Sequence, residues 1–236
     1  MKEYSIEAEN GEKVAVTHEE ADSDTWIFVC HGFGGNKERQ SEYLELAEES
    51  FNVVTLSFRG NGDSDGEFID QDLSSRIKDL EAVVNYFEPE NTILFGTSFG
   101  GKVVFHTAED IDVDAVIGKA PVTYKEIMDK FREVVEAKGR FEYIDGKPID
   151  ESFFDDFDSY DFEELENSLY IPVAIFHGAA DTTVHPEFSF EAAEKLDTSV
   201  MLDKIEGEKH SFSRDGKEYM FGQMVAWLDN NELTPE

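Results

Sequence analysis

Short apolar runs alternate with helical patterns along most of this chain, and that alternation constrains the fold more than any other feature. Trp26–Cys30, Asn52–Phe58, Thr92–Gly96, Ala115–Gly118 and Val173–His177 each read as a strand. They are apolar almost throughout, rather than alternating apolar and polar. Strands of that kind are buried on both faces, as in a parallel sheet covered by helices. Between them lie a polar helix expected over about Asn36–Glu49 and a helix on which Leu73, Ile77, Leu80, Val84 and Phe87 recur at helical spacing. Further helices are expected over Phe99 to about Glu109, Pro186–Leu196 and Lys217–Leu228, with a last strand at Val200–Ile205. At the start, Tyr4–Ala8 and Val14–Thr17 flank Asn10-Gly11, a hairpin signal. The fold class is therefore α/β: a mainly parallel central sheet with helices on both faces.

One segment breaks the pattern. From about Pro121 to Tyr170 the chain runs some 50 residues where a strand-to-helix connection takes roughly 2–6. It mixes many acids with Phe131, Phe141, Tyr143, Phe153, Phe154, Phe157, Tyr160 and Phe162. The expected organisation is a core of residues 1–120 and 171–236 with residues 121–170 inserted as a small cap over one end of the sheet. The alternative is an irregular extension packed on the flank.

Charge narrows the range of partners. The chain of 236 residues carries 54 acidic and 20 basic residues, a formal net charge of −34. Nucleic acid and anionic membrane surfaces are disfavoured, because both are negative. The acids are spread along the whole chain, which predicts an anionic surface overall. Such a surface repels itself until salt screens it, since the Debye length falls from about 10 Å at 0.1 M to about 3 Å at 1 M. The preferred reading is a halophilic protein from a salt-rich cell interior, although lysine (14) outnumbers arginine (6), the reverse of the usual halophilic bias. Cys30 is the single cysteine, so no disulfide forms within the chain. No apolar run approaches the roughly 20 residues needed to span a bilayer, and Met1-Lys2-Glu3-Tyr4 lacks a signal-peptide pattern. A cytoplasmic location is expected.

Gly96-Thr97-Ser98-Phe99-Gly100 fits Gly-x-Ser-x-Gly between an apolar strand and a helix. A serine hydroxyl is a weak nucleophile and must be held in the open beside a base. A tight strand-to-helix turn does this, and the helix brings its positive end to the place where negative charge develops. The partners should follow in the order acid, then histidine. Asp181 lies just past the strand ending at His177, and His210 lies between the last strand and the last helix. His210 would take the Ser98 proton, and Asp181 would orient the imidazole. Asp203 is expected within the last strand and Asp215 at the cap of the last helix, so Asp181 is preferred. The oxyanion of acyl transfer needs fixed donors. These are expected from the backbone N–H of Phe99 and from Phe33 in His31-Gly32-Phe33-Gly34-Gly35. That stretch lacks the Gly-x-Gly-x-x-Gly and Gly-Lys-Ser/Thr patterns of nucleotide loops.

The remaining histidines read as structural. His31 should brace the oxyanion loop, His177 should fix the Asp181 loop and His185 should cap the next helix, while His106 lies mid-helix and His18 ends an early strand. Cys30 reads as a buried apolar residue. No His-x-x-x-His or Cys-x-x-Cys spacing is present, so neither metal nor cofactor is expected.

Taken together, these residues resemble the α/β-hydrolase superfamily over nearly the whole chain. His31–Gly35 matches its oxyanion segment, Phe58-Arg59-Gly60-Asn61-Gly62-Asp63-Ser64 is similar to its Arg-Gly-x-Gly-x-Ser loop, and Ser98, Asp181 and His210 match its triad. Ser64-Asp65-Gly66-Glu67-Phe68 with a mid-chain cap is most similar to the cinnamoyl (feruloyl) esterase group, although Phe99 replaces the polar residue usual there. The resemblance implies a serine carboxylesterase acting on small-molecule esters with apolar or aromatic groups. Amide, peptide or thioester hydrolysis by the same triad, or a non-catalytic binding protein on the same fold, are the alternatives. The acidic surface is expected to disfavour polyanionic substrates such as acyl-coenzyme A.

Overall fold

The computed structural model describes residues 1–144 and 146–235. The chain opens with a hairpin of β1 (Lys2–Glu7) and β2 (Lys13–Glu19), whose turn carries Asn10 and Gly11 at φ 60° and 75°. Asparagine and glycine tolerate that left-handed geometry best. β3 (Thr25–Cys30), β4 (Asn52–Ser57), α1 (Leu73–Phe87), β5 (Asn91–Thr97), α2 (Phe99–Asp110) and β6 (Ala115–Lys119) follow. Residues 121–170 form α3 (Asp129–Lys138), a hairpin of β7 (Arg140–Ile144) and β8 (Lys147–Asp150), then α4 (Glu151–Phe157) and α5 (Phe162–Leu165). The chain closes with β9 (Val173–Gly178), α6 (Pro186–Lys195), β10 (Val200–Ile205) and α7 (Arg214–Asn230). The last helix thus begins three residues before the expected Lys217. Ser213 caps it, accepting from Gly216 N, and Asp215 sits in its first turn rather than at the cap.

The main sheet has eight strands in the order β1-β2-β4-β3-β5-β6-β9-β10. From β4 to β10 every pairing is parallel, and β2 joins β4 antiparallel. Alternate residues feed two cores, as the period of two along a strand requires. Phe28, Val54, Leu94 and Val116 pack with α1, α2 and the insert. Ile27, Val53, Ile93 and Ile117 pack with Tyr43, Leu46 and the Met220, Met224 and Trp227 face of α7.

The expected helix at 36–49 is instead a run of 3₁₀ turns over Lys37–Glu49. Its buried side chains include Lys37, Gln40, Tyr43 and Leu46, spaced every third residue. Three residues per turn keeps all four on one face, which 3.6 would not. Asn36 caps the run by accepting from Arg39 N at 3.2 Å.

The insert is joined to the core by a helix cap made across the chain. Asp156 of α4 accepts from the N–H groups of Leu73 and Ser74, the first two residues of α1, at 2.8 and 3.0 Å, and from the Ser74 hydroxyl. Phe153, Phe154, Phe157 and Phe162 are buried in the same core as α1 and α2. No helix among the described residues is long and apolar enough to cross a membrane.

Candidate active site

Ser98 stands between β5 and α2 with φ 55° and ψ −120°. For a residue with a Cβ this is strained, and the surroundings hold it there. Ser98 N donates to Lys119 O, while Gly101 N and Val122 N both donate to Ser98 O, all at 2.9 Å. The turn is tight enough to require glycine on either side. A Cβ on Gly100 would meet Cys30 O at 2.4 Å, and one on Gly96 would meet Gly100 O at 2.3 Å.

Asp181 and His210 come together from the loops after β9 and β10. His210 Nδ1 lies 2.7 Å from Asp181 Oδ2, which leaves Nε2 free to face a reacting group. The other carboxylate oxygen, Oδ1, accepts from Thr183 N at 2.8 Å and Val184 N at 3.1 Å. Burial opposes ionisation of Asp181, but hydrogen bonds from His177 and His210, with the Thr183 amide, outweigh it and hold the carboxyl well below the usual carboxylate range. Ser98 and His210 line the same cleft, and among the described residues no hydrogen bond joins the Ser98 hydroxyl to the imidazole. Catalytic hydrogen bonds of this kind often tighten only with substrate in place.

The two expected oxyanion donors, Phe33 and Phe99, line the same slot as Ser98. Neither Phe33 N–H nor Phe99 N–H has a backbone partner among the described residues. Phe99 is the first residue of α2, where the helix leaves its N–H groups unpaired and its dipole is positive. The Phe33 and Phe99 rings meet edge to face at 5.0 Å. The Arg76 guanidinium lies behind both, 5.5 and 5.6 Å from their centroids. The backbones of this pair are thus supported by a packed aromatic and cationic layer. His31 braces the same loop: Phe58 N donates to Nε2 at 3.1 Å, so Nδ1 carries the proton and donates to Gly32 O at 2.7 Å. Burial pushes that imidazole down to about 3, which keeps it neutral in the required tautomer.

His177 is fully buried between Ser189 Oγ (2.7 Å), Val184 O (3.0 Å) and Asp181 Oδ2 (3.3 Å), fixing the Asp181 loop as its position suggests. His185 differs from expectation. It occupies the N-cap position of α6 but makes no capping bond, and Pro186 at the first helical position supplies the start. His106 is buried mid-helix, and His18 is buried in β2 against Asn52. Asp203 lies within β10. Cys30 is fully buried and its thiol is pushed up by burial. Arg59 works outside the site, where it donates to both oxygens of buried Asp79 at 2.8 and 2.6 Å. Among the described residues no group of three or more His, Cys, Asp or Glu side chains is arranged to hold a metal.

Two cavities flank Ser98. One is an apolar slot of about 50 Å³ lined by Phe33, Phe99, Val122, Met128, Phe131 and Tyr143. The other is a wider cleft of about 260 Å³ that contains Arg39, Glu42, Lys119 and Lys217 besides Ser98 and His210. Sequence reading passed over Lys119 because the strand was expected to stop at Gly118. The available signal was a charged residue at the carboxyl end of a buried parallel strand, where ligand-binding groups gather.

Residues 25–145, half of the chain, match the sequence model of the family described as alpha/beta hydrolase fold. The chain belongs to that family. Over 107 residues it is 32% identical to the quorum-quenching protein AidA of Acinetobacter baumannii, a stretch covering 41% of this chain and 35% of that protein. The aligned part is thus about a third of the length of the curated relatives it matches. Among solved structures, Est1E from Butyrivibrio proteoclasticus, bound to ferulic acid, superposes with a TM-score of 0.83. Its identity is 20%, with 97% of this chain and 98% of that one covered. Mouse alpha/beta hydrolase domain-containing protein 10 superposes with a TM-score of 0.86 at 17% identity, covering 98% and 99%.

Proposed function

We propose that the chain is a serine hydrolase that cleaves carboxylic esters of small molecules through an acyl-enzyme. The observation that carries this reading is the Asp181–His210 pair at 2.7 Å, in the same cleft as a serine held at φ 55°. In the proposed reaction Ser98 Oγ adds to the ester carbonyl carbon while His210 Nε2 takes its proton. The carbonyl oxygen becomes an oxyanion between the Phe33 and Phe99 N–H groups. The imidazolium then gives the proton to the leaving alcohol as the C–O bond breaks. Water, deprotonated by the same nitrogen, releases the acid and restores Ser98. Asp181 stays ionised and stabilises the imidazolium at each stage.

Residues 121–170 act in this reading as a cap. The slot walls that Met128, Phe131 and Tyr143 provide suit an apolar or aromatic group on one side of the scissile bond. Est1E, a ferulic acid-binding protein of the same fold, agrees with an aromatic ester. A panel of 4-nitrophenyl esters of increasing acyl length, with feruloyl and aminoacyl-amide substrates alongside, tests the reading in wild type and Ser98→Ala. Turnover of esters that disappears in the variant supports it. Ester turnover retained by Ser98→Ala overturns it.

A further inference from the structure

The wider cleft beside Ser98 has a charge balance opposite to that of the chain. Its charged lining residues apart from His210 are Arg39, Lys119, Lys217 and Glu42. Glu42 is already engaged, since its Oε2 lies 2.7 Å from Lys217 Nζ. Arg39 and Lys119 have no carboxylate within ion-pair distance among the described residues, in a chain with 54 acidic residues to draw on. Lys119 is 6% exposed. Its Nζ donates to His210 O at 2.9 Å and lies 4.4 Å from the centre of the Phe212 ring. An ammonium has three donors, and the carbonyl takes one of them. Burial draws this lysine down to about 8, the cost of a cation without a counter-charge. Arg39 is exposed at the mouth of the same cleft, with a planar fork matched to a carboxylate. Lys147, over the Phe68 ring at 4.9 Å and bonded to Asn61 Oδ1, is a third cation with no carboxylate partner among the described residues. Cations gathered in a low-dielectric cleft focus the field there even when the outer surface is negative.

We propose that this cleft is a carboxylate subsite: the substrate is an ester that also carries an ionised carboxylate, which meets Arg39 and Lys119 while the scissile carbonyl meets Ser98. The proposal rests on the ester-hydrolase reading above and names its substrate class. The half-ester of a dicarboxylic acid and the acylated hydroxy acid share this chemistry and differ in which side of the ester bears the charge. The apolar slot then takes the uncharged group. A polyanion is still repelled by the outer surface, while a single carboxylate that reaches the cleft is held.

The test compares matched pairs at one fixed KCl concentration. Mono-4-nitrophenyl glutarate against 4-nitrophenyl valerate places the charge on the acyl side. 3-Acetoxybenzoate against phenyl acetate places it on the alcohol side. In at least one pair the anionic ester should be favoured about tenfold in kcat/KM, the worth of one charged hydrogen bond. Arg39→Gln should bring that ratio near one, Arg39→Glu should invert it, and Arg39→Lys should retain most of it. Binding of monomethyl glutarate to Ser98→Ala, followed by NMR, should be lost when Arg39→Glu is added. Ester turnover with no anionic preference in either pair, or a preference that survives Arg39→Glu, overturns the subsite and leaves ester hydrolysis standing. Arg39-dependent binding without turnover of any ester keeps the subsite and overturns ester hydrolysis. Neither turnover nor binding overturns both.

Discussion

The strand ends of the sheet and the 121–170 insert both contribute to the slot beside Ser98 and are built in different ways. At the sheet, position is set by the main chain. Parallel ladders fix β5, β6, β9 and β10 in register, and the loops leaving them bring Ser98, Asp181 and His210 together. At the insert, position is set by side chains. Phe153 lies 5.5 Å from Phe33 and 5.9 Å from Phe99, and Tyr143 meets Phe33 edge to face at 5.1 Å. A ladder tolerates little displacement, whereas aromatic contacts can be repacked at modest cost. In the proposed reaction the sheet carries bond-making and the insert walls the slot for the uncharged group, and each half of that division can be tested.

The largest effect is expected at the sheet. Ser98→Ala and His210→Ala should each lower ester turnover by about 10⁴-fold or more, with the fold intact by circular dichroism, because the two act as a unit. Near-normal rates in either would break the division at its root. Asp181→Asn should cost about 10²–10⁴-fold, since the amide cannot hold the imidazole in the right tautomer or stabilise its charge. Its loss should appear in kcat, with KM little changed. In the insert, Phe131→Ala should enlarge the slot and shift the kcat/KM ratio of long to short acyl esters upward by about tenfold, while short esters keep most of their rate. A uniform fall across the acyl series would mean the insert serves the chemistry and not the choice.

Two smaller effects concern stability. Residues 121–170 hold 15 acidic and 6 basic residues, a denser acidic load than the rest. Lowering KCl from about 3 M to about 0.1 M lengthens the screening distance from under 3 Å to about 10 Å. The melting temperature should fall, and hydrogen exchange should show the insert losing protection before β5 and β6. Simultaneous loss would erase the distinction between the regions, and a flat melting temperature would remove the salt-adaptation reading.

His106 of α2 touches the insert through Tyr160, with ring centres 5.2 Å apart. Burial draws its imidazole down to about 4, against about 6.5 unfolded. The unfolded chain therefore binds the proton first. The stabilising contribution is complete above about pH 6.5 and is lost as pH falls towards 4, at up to about 1.4 kcal/mol per pH unit. His106→Gln should flatten the acid limb of stability against pH by about one proton. An unchanged slope would show that the imidazole binds its proton equally in both states.

Legibility in the sequence followed the same line. β3 to β6 and β9 were readable because strands buried on both faces must be apolar throughout, and the proposed Ser98, Asp181 and His210 were singled out by their places after β5, β9 and β10. The 3₁₀ run at 37–49 was not, because acidic residues between its buried positions mask a period of three, and both helical forms share the i, i+3 contact. Inside the insert, aromatics announced burial without saying which strands or helices would carry them. The cationic character of the cleft was hidden for another reason. Arg39, Lys119 and Lys217 lie far apart in the chain, and the overall charge pointed the other way.

The Asp156 carboxylate ties α4 to the start of α1. Lifting α4 from the core would strip the first turn of α1 of the acceptor for two amides and a hydroxyl, at about 1–2 kcal/mol for the cap alone. The β7–β8 hairpin is held differently, by Lys147 on Asn61 and over Phe68 and by the Tyr143 edge on Phe33. A single carboxylate on the insert thus fixes the start of a core helix, so a change at Asp156 would be felt in α1 as well as in the insert.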